Sequence, residues 1–343
     1  MSTRPAPHRS RRAGSTTFAA GAAGALALAG AGAAVADPPT DNVRTYEQEA
    51  IGLDAASLIA PPETEGPFKV IVAGTTGYQF RTDLDSGGDF ALTRFAAGAQ
   101  FRAKLAERIS LGVELGYRFE RYSFGGDVFP GLGSGFRPWR DIHTVSLGIV
   151  PTFALDDRWT LSAGFIGQAA GEAQADVDDS TSLGGLVGVA YRVSDTLILG
   201  GGVAIVSPIE DDVKVFPTFL VEWKINEQLR VASRGGPTNV LGGGVELVYQ
   251  PQSALEFAFG ARWEYNRFRL TEDGSVPKGI GEVEGLPLWL RASWWPTDRI
   301  RLDLLGGVTV AGEMKLSDRD GGVLASSDFD PAPFVGLYLI WSF

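Results

Sequence analysis

The chain has 343 residues, among them 45 glycines, two histidines and no cysteine, and a formal charge of -11. Without cysteine there is no disulfide framework, thiolate metal site or thiol nucleophile, and two histidines leave little material for a histidine-built metal centre or a hydrolytic triad. The acidic balance excludes a nucleic-acid partner of the usual kind, which needs clustered Lys and Arg, while glycine stands at nearly double its ordinary share of about 7%.

The N-terminal stretch reads as a targeting segment. Arg4, Arg9, Arg11 and Arg12 precede an uncharged run from Phe18 to Val35, and Ala34-Val35-Ala36 supplies the small residues that signal peptidase cuts after. Residues 1-36 are therefore expected to be a secretory leader. Residues 37-68 form a polar segment with a short helical pattern from Thr45 to Leu58, expected to plug the domain downstream of it, to hang in the periplasm or to be disordered. Beyond the leader, no run of about 20 apolar residues offers a membrane-spanning helix.

From residue 69 onward the hydrophobic period is two, the period of strands. In 108-121, Ile109, Leu111, Val113, Leu115, Tyr117 and Phe119 alternate with Ser110, Gly112, Glu114, Gly116, Arg118 and Glu120. The dyad recurs at 255-266 and at 300-310. Many windows run to 10-14 residues, as long as a membrane-crossing strand of about 9-11 requires. Short polar turns at 106-108, 156-158, 194-196, 226-228, 252-254 and 297-299 alternate with longer Gly- and Asp-rich loops at 81-89, 123-140, 169-180, 207-213, 235-239, 270-283 and 317-331. These connections separate fourteen strands, with twelve as the alternative. An even count with short turns at one end and long loops at the other predicts a single all-β antiparallel transmembrane barrel over 69-343.

The last strand carries the most specific motif. Val335, Leu337, Leu339, Trp341 and Phe343 occupy alternate positions and end on an aromatic residue. This resembles the C-terminal assembly signal of bacterial outer-membrane β-barrel proteins, which the barrel-insertion machinery recognises. The resemblance implies export through a cleaved leader to the bacterial outer membrane, a porin-like barrel of a functionally undescribed family, and contact with outer-membrane lipids and lipopolysaccharide. Trp159, Trp223, Trp294, Trp295 and Trp341, near short-turn ends, fit an interfacial aromatic girdle.

The opposite phase lines the lumen. Twelve basic and seven acidic residues fall on it, a wall that leans basic within an acidic chain. Its selectivity candidates are Arg230, Arg234, Arg262, Arg291, Arg301, Glu222, Glu264 and Asp303, read either as a partly paired solvated wall or as an eyelet for anionic solutes. Loop 123-140, with Phe124, Phe129, Phe136 and Trp139, is expected to pack on the rim or to fold inward as a constriction. Asp-rich loops such as 176-179 and 210-212 could offer oxygen ligands to calcium, yet none has the twelve-residue calcium-loop pattern, and solvated loop charge is the better reading.

An enzymatic barrel would need a nucleophile beside a histidine. His143 stands three residues from Ser146, and odd spacing sends the two to opposite faces of a strand. The function expected is therefore a passive channel for small solutes without enzymatic activity, cofactor or metal. Alternatives are a non-conducting barrel whose loops carry the function and, less well supported, a hydrophobic-compound transporter. Outer-membrane fatty-acid transporters share the strand count, but their N-terminal hatch motif has no counterpart here.

Overall fold

A computed structural model describes residues 68-234 and 244-343. The expected leader at 1-36 and the expected plug or periplasmic segment at 37-67 lie outside the described residues. The chain forms strands β1 (Phe68–Asp83), β2 (Asp89–Ala106), β3 (Ile109–Gly125), β4 (Asp141–Ala154), β5 (Trp159–Glu172), β6 (Thr181–Ser194), β7 (Leu197–Ser207) and β8 (Lys214–Lys224). It continues with β9 (Leu229–Arg234), β10 (Gly244–Gln252), β11 (Leu255–Arg262), β12 (Glu264–Arg269), β13 (Ile280–Thr297), β14 (Ile300–Ser317), β15 (Val323–Phe329) and β16 (Ala332–Ser342). Segments β11 and β12 continue one another along β13, and β15 and β16 along β14, so sixteen segments make fourteen staves.

Neighbours pair antiparallel around the wall, and β1 closes the cylinder on β16 through Ile71↔Ser342 to Gln79↔Phe334. Closure matters because in hydrocarbon every backbone N–H and C=O must find a partner within the sheet. The side chains sort as their period demands. Leu115, Tyr117, Val145, Leu304 and Leu337 stand exposed on the outside, whereas Glu114, Arg118, Glu120, Arg291 and Asp303 are buried inside.

The short turns are set by local polar chemistry. The Asp156 carboxylate accepts the backbone N–H groups of Arg158 and Trp159, each at 2.7 Å, and Asn226 Oδ1 accepts those of Gln228 and Leu229, each at 2.9 Å. Such Asx turns reverse the chain without a long loop. Trp159, Trp223, Trp294 and Trp341 are exposed beside these turns, as a girdle requires. Trp295 departs from that expectation: it shares the inward phase of Arg291 and Ser293, and the Arg301 guanidinium lies 5.7 Å from its ring.

The end that carries the long connections differs from a plain cylinder. At one level, four consecutive staves are interrupted. Trp263 separates β11 from β12, the β13–β14 register shifts between Glu284 and Leu286, and Asp330-Pro331 separates β15 from β16. Across from Gly285, β14 bulges at Ala311, held at φ 50, a left-handed conformation uncommon for a residue with a Cβ. Proline at 331 cannot donate to a ladder, which suits the break. Above this line the sheet β12–β13–β14–β15 leaves the wall and crosses the mouth. Its far edge makes a parallel bridge, Arg269↔Gly171, with β5 on the opposite side.

Two expectations are corrected here. Residues 254-269 do not form one continuous wall strand, because β12 turns inward. Residues 317-331 are not a loop, because β15 occupies 323-329 and leaves only a tight connection at 318-322.

Candidate functional site: the luminal chamber and its cover

Alternation gives the in-folded sheet two unlike faces. Phe268, Val283, Met314, Leu316, Ala325 and Phe329 lie on one face. With Phe90, Leu92, Tyr122 and Ile142 of the wall and Val128, Phe129 and Trp139 of the β3–β4 connection, they build a buried apolar cluster. Trp139 meets Phe268 edge-on at 5.2 Å, and Phe90 meets Phe329 at 5.1 Å. The β3–β4 loop is thus folded inward as part of the cover, one of the two placements expected for it. Glycines make the close packing possible: a Cβ at Gly281 would fall on the Phe268 ring and one at Gly312 on the Phe329 ring.

The other face is charged. Arg267, Glu282 and Lys315 stand in one cross-strand row, and Tyr265, Glu284 and Glu313 in the next. Arg267 Nη1 donates to Glu282 at 2.7 Å, and Lys315 Nζ lies 2.7 Å from Glu313, 3.3 Å from Glu284 and 3.4 Å from Glu282. The β7–β8 connection packs on this face. Arg267 donates to the Ile209 carbonyl at 2.7 Å and the Glu210 carbonyl at 3.0 Å.

Beneath the cover lies a chamber of about 170 Å³. Its ceiling is apolar, from Phe90, Leu92, Tyr122, Val283, Phe329 and Phe334. Its floor and sides carry Arg94, Arg118, Arg262, Glu264, Arg291, Arg301 and Asp303, and Gly77 and Gly336 thin the wall beside it. The charges are arranged in clusters. In the first, Arg94 Nε donates to Glu120 at 2.8 Å, Arg118 Nη2 to Asn266 at 2.8 Å, and Asn266 to Glu120 at 2.7 Å. Arg262 pairs with Glu264, which also lies 3.5 Å from Arg94. In the second, Arg291 reaches Glu246 at 2.6 Å and Glu256 at 3.0 Å, Arg230 reaches Glu256 at 2.5 Å, and Trp289 Nε1 donates to Glu246 at 2.8 Å. Arg301 bonds Asp303 through Nε at 2.7 Å. Pairing of this kind is what burial of so much charge demands, since an isolated buried ion costs several kcal/mol.

The sequence-selected residues thus fall into identifiable places. Arg262 joins Glu264, Arg230 and Arg291 share Glu256, and Arg301 joins Asp303. Glu222 stands on β8 opposite Ile198 and Ala232. Arg234 closes β9, its side chain outside the described residues. Period-two reasoning did not single out Arg267, Arg269, Glu282, Glu284, Glu313 or Lys315. Their signal was the charge density of 264-269 and 282-284 close to Gly285 and Pro331, residues that interrupt strands.

His143 is at the outer rim. Its Nδ1 lies 2.8 Å from the Tyr117 hydroxyl and its ring 5.1 Å from that of Phe119, whereas Ser146 turns inward against Gly116. The two sit on opposite faces of β4. The loop acids have protein partners: Asp176 bonds Lys278 at 2.8 Å, Asp211 pairs with Lys214 at 2.9 Å, and Asp318 accepts the backbone of Asp320 and Gly322. Among the described residues, no three His, Asp or Glu side chains gather as a metal site.

The described residues form a closed fourteen-stave barrel, apolar outside and charged inside, the architecture of membrane-spanning β-barrels, and its structural neighbours are bacterial outer-membrane channels and transporters. An outer membrane channel from Pseudomonas putida F1 aligns at a TM-score of 0.45 and 12% identity, covering 83% of this chain and 98% of that one. The Ralstonia pickettii toluene transporter TbuX aligns at 0.43 and 10%, covering 86% and 95%, and the NanC porin at 0.35 and 11%, covering 79% and 98%. No protein-family model matches the chain, and no curated protein does.

Proposed function

We propose that the protein is a passive channel for small solutes with an apolar body and little net charge. The chamber carries this reading: an apolar ceiling stands over a floor whose charges are bonded to one another. A hydrated ion gains little from a wall already paired, because its lost water is not replaced. A small organic solute replaces void with contact. The volume suits a guest about the size of one six-membered ring, since an apolar cavity of about 150 Å³ accepts benzene. The paired Arg residues also argue against a strong anion eyelet. The apolar ceiling favours, as a second reading, carriage of small hydrophobic compounds. In both readings the alternating stretch Val335 to Phe343 serves the insertion machinery, and the outer face meets lipid and lipopolysaccharide.

The deciding measurement is flux through the reconstituted protein. Planar bilayers are expected to show a small, weakly selective conductance, and proteoliposomes to admit small neutral solutes faster than protein-free vesicles. Protein-containing vesicles no more permeable than empty ones to every solute tried would overturn the reading and leave a structural barrel.

A further inference from the structure

We propose that the β7–β8 connection, residues 208-213, is a strap that opens and closes the outer access to the chamber along the charged face of the in-folded sheet; this rests on the channel reading. The two faces of that sheet are held in physically different ways. On the apolar face, parting the sheet from the wall would expose Phe268, Met314, Leu316 and Phe329 together, all buried. Loss of that much apolar burial far exceeds the net worth of a few hydrogen bonds. That side is a permanent seal.

On the charged face the contacts to the strap are polar and few. Arg267 holds the Ile209 and Glu210 carbonyls and lies 3.6 Å from Asp211, Arg269 holds the Glu210 carboxylate at 3.0 Å, and Lys214 at the strap's own end donates to the Tyr265 hydroxyl at 2.9 Å. Pro208 and Ile209 are buried, whereas residues 210-213 are exposed. Glu210 itself is kept at φ 42, left-handed backbone that a residue with a Cβ adopts only when its surroundings impose it. The neighbouring Gly321, at φ 88, has no room for a Cβ against the Glu210 carbonyl. The strap is therefore strained, latched by two arginines and lightly buried, the marks of a segment that opens locally. On the same face as Arg267 stand the partly exposed Lys315, Glu313 and Glu284, and Glu284 also lines the chamber. This charged face is the path that the proposed strap closes.

The absence of cysteine allows a direct test on the full chain in proteoliposomes. Ser317, 3% exposed, shares the charged face with Arg269 across β13, and Ser327, 6% exposed, lies on the apolar face. Ser317→Cys and Ser327→Cys are each labelled with a membrane-impermeant maleimide, alone and with Arg267→Gln, which releases the Ile209 and Glu210 carbonyls and leaves the ties of Arg269 in place. Glu210→Gln serves as a milder opener, because it removes the charge that Arg269 holds and leaves the strained backbone as it is, without touching a buried side chain. The expected result is labelling about tenfold faster at Ser317→Cys with either opener, as loss of one charged hydrogen bond implies, and no change at Ser327→Cys. Unchanged rates at Ser317→Cys with both openers overturn the strap. Equal acceleration at both positions overturns it too, since the whole cover would then be loosening. Faster labelling at Ser317→Cys without any conductance leaves the strap standing and removes the channel reading instead.

Discussion

Arg269 and Glu210, 59 positions apart in sequence, meet at 3.0 Å over the mouth of the barrel. The same guanidinium donates to the carbonyls of Asp179 at 2.9 Å, Lys278 at 2.9 Å and Arg319 at 3.0 Å, so one buried side chain ties four connections at this end of the barrel together. Glu210 is about half exposed, and its charge contributes less than the three carbonyls, which solvent screens less. Arg269→Ala is expected to destabilise the protein by about 3 kcal/mol, a small number of charge-assisted bonds. Denaturant unfolding in detergent reads this, and hydrogen exchange should rise in 173-180, 208-213, 270-279 and 318-322 together. Faster exchange confined to 270-279 would contradict a shared hub.

The luminal clusters respond unequally to charge removal. Glu246 bonds Arg291 and Trp289, so Glu246→Gln leaves a buried guanidinium short of its main partner and is expected to cost about 3-5 kcal/mol. Glu246→Met combined with Arg291→Met should restore much of that loss, since a buried pair replaced by apolar residues of similar volume is often neutral. A double variant no more stable than the single one would show that the pair contributes more than its own charge balance.

Ion selectivity separates the paired wall from the anion eyelet. A paired wall is expected to give the unmodified protein a reversal potential near zero, and Arg262→Glu or Arg291→Glu, which strands Glu264 or Glu246 beside a new carboxylate, to shift it toward cations. A clear anion preference in the unmodified protein would favour the eyelet.

The chamber can be filled without disturbing packing. A Cβ at Gly77 or Gly336 meets nothing closer than 3.4 Å, so Gly77→Leu and Gly336→Leu should fold normally while taking up void. Solute flux is expected to fall several-fold in each with unfolding unchanged. Gly312→Val is the contrasting case: its side chain would strike the Phe329 ring and is expected to destabilise by about 1-3 kcal/mol through overpacking.

Acid should loosen one loop tie. The Lys278 ammonium holds the Asp176 carboxyl below its ordinary value of 3.8, and Asp176 in turn raises Lys278 above its ordinary 10.5. A lowered carboxyl contributes fully above its ordinary value and loses that contribution as pH falls through the lowered one. A raised amine contributes below its ordinary value and loses it as pH climbs through the raised one. Protease nicking in 173-180 and 270-279 should therefore increase below about pH 4. Lys278→Met should show the increased nicking already at neutral pH, and equal acid sensitivity in both proteins would refute the tie.

The sequence by itself determined the wall. Period two, long strands and turns built on Asp156 or Asn226 are local properties, so alternation from Ile109 to Glu120 already told outside from inside. A lumen-facing Arg beside a Glu likewise announces pairing, though not with whom. Only the tertiary structure decided that β12–β15 leave the cylinder, because a strand alternates in the same way whether it stands in a wall or lies across a mouth. What moves it is the coincidence of Trp263, Gly285, Ala311-Gly312 and Asp330-Pro331 at one height, and register, a relation between strands far apart in sequence, sets that height. The charged residues Arg267, Arg269 and Glu282 then acquire partners across the barrel that no spacing along the chain can express.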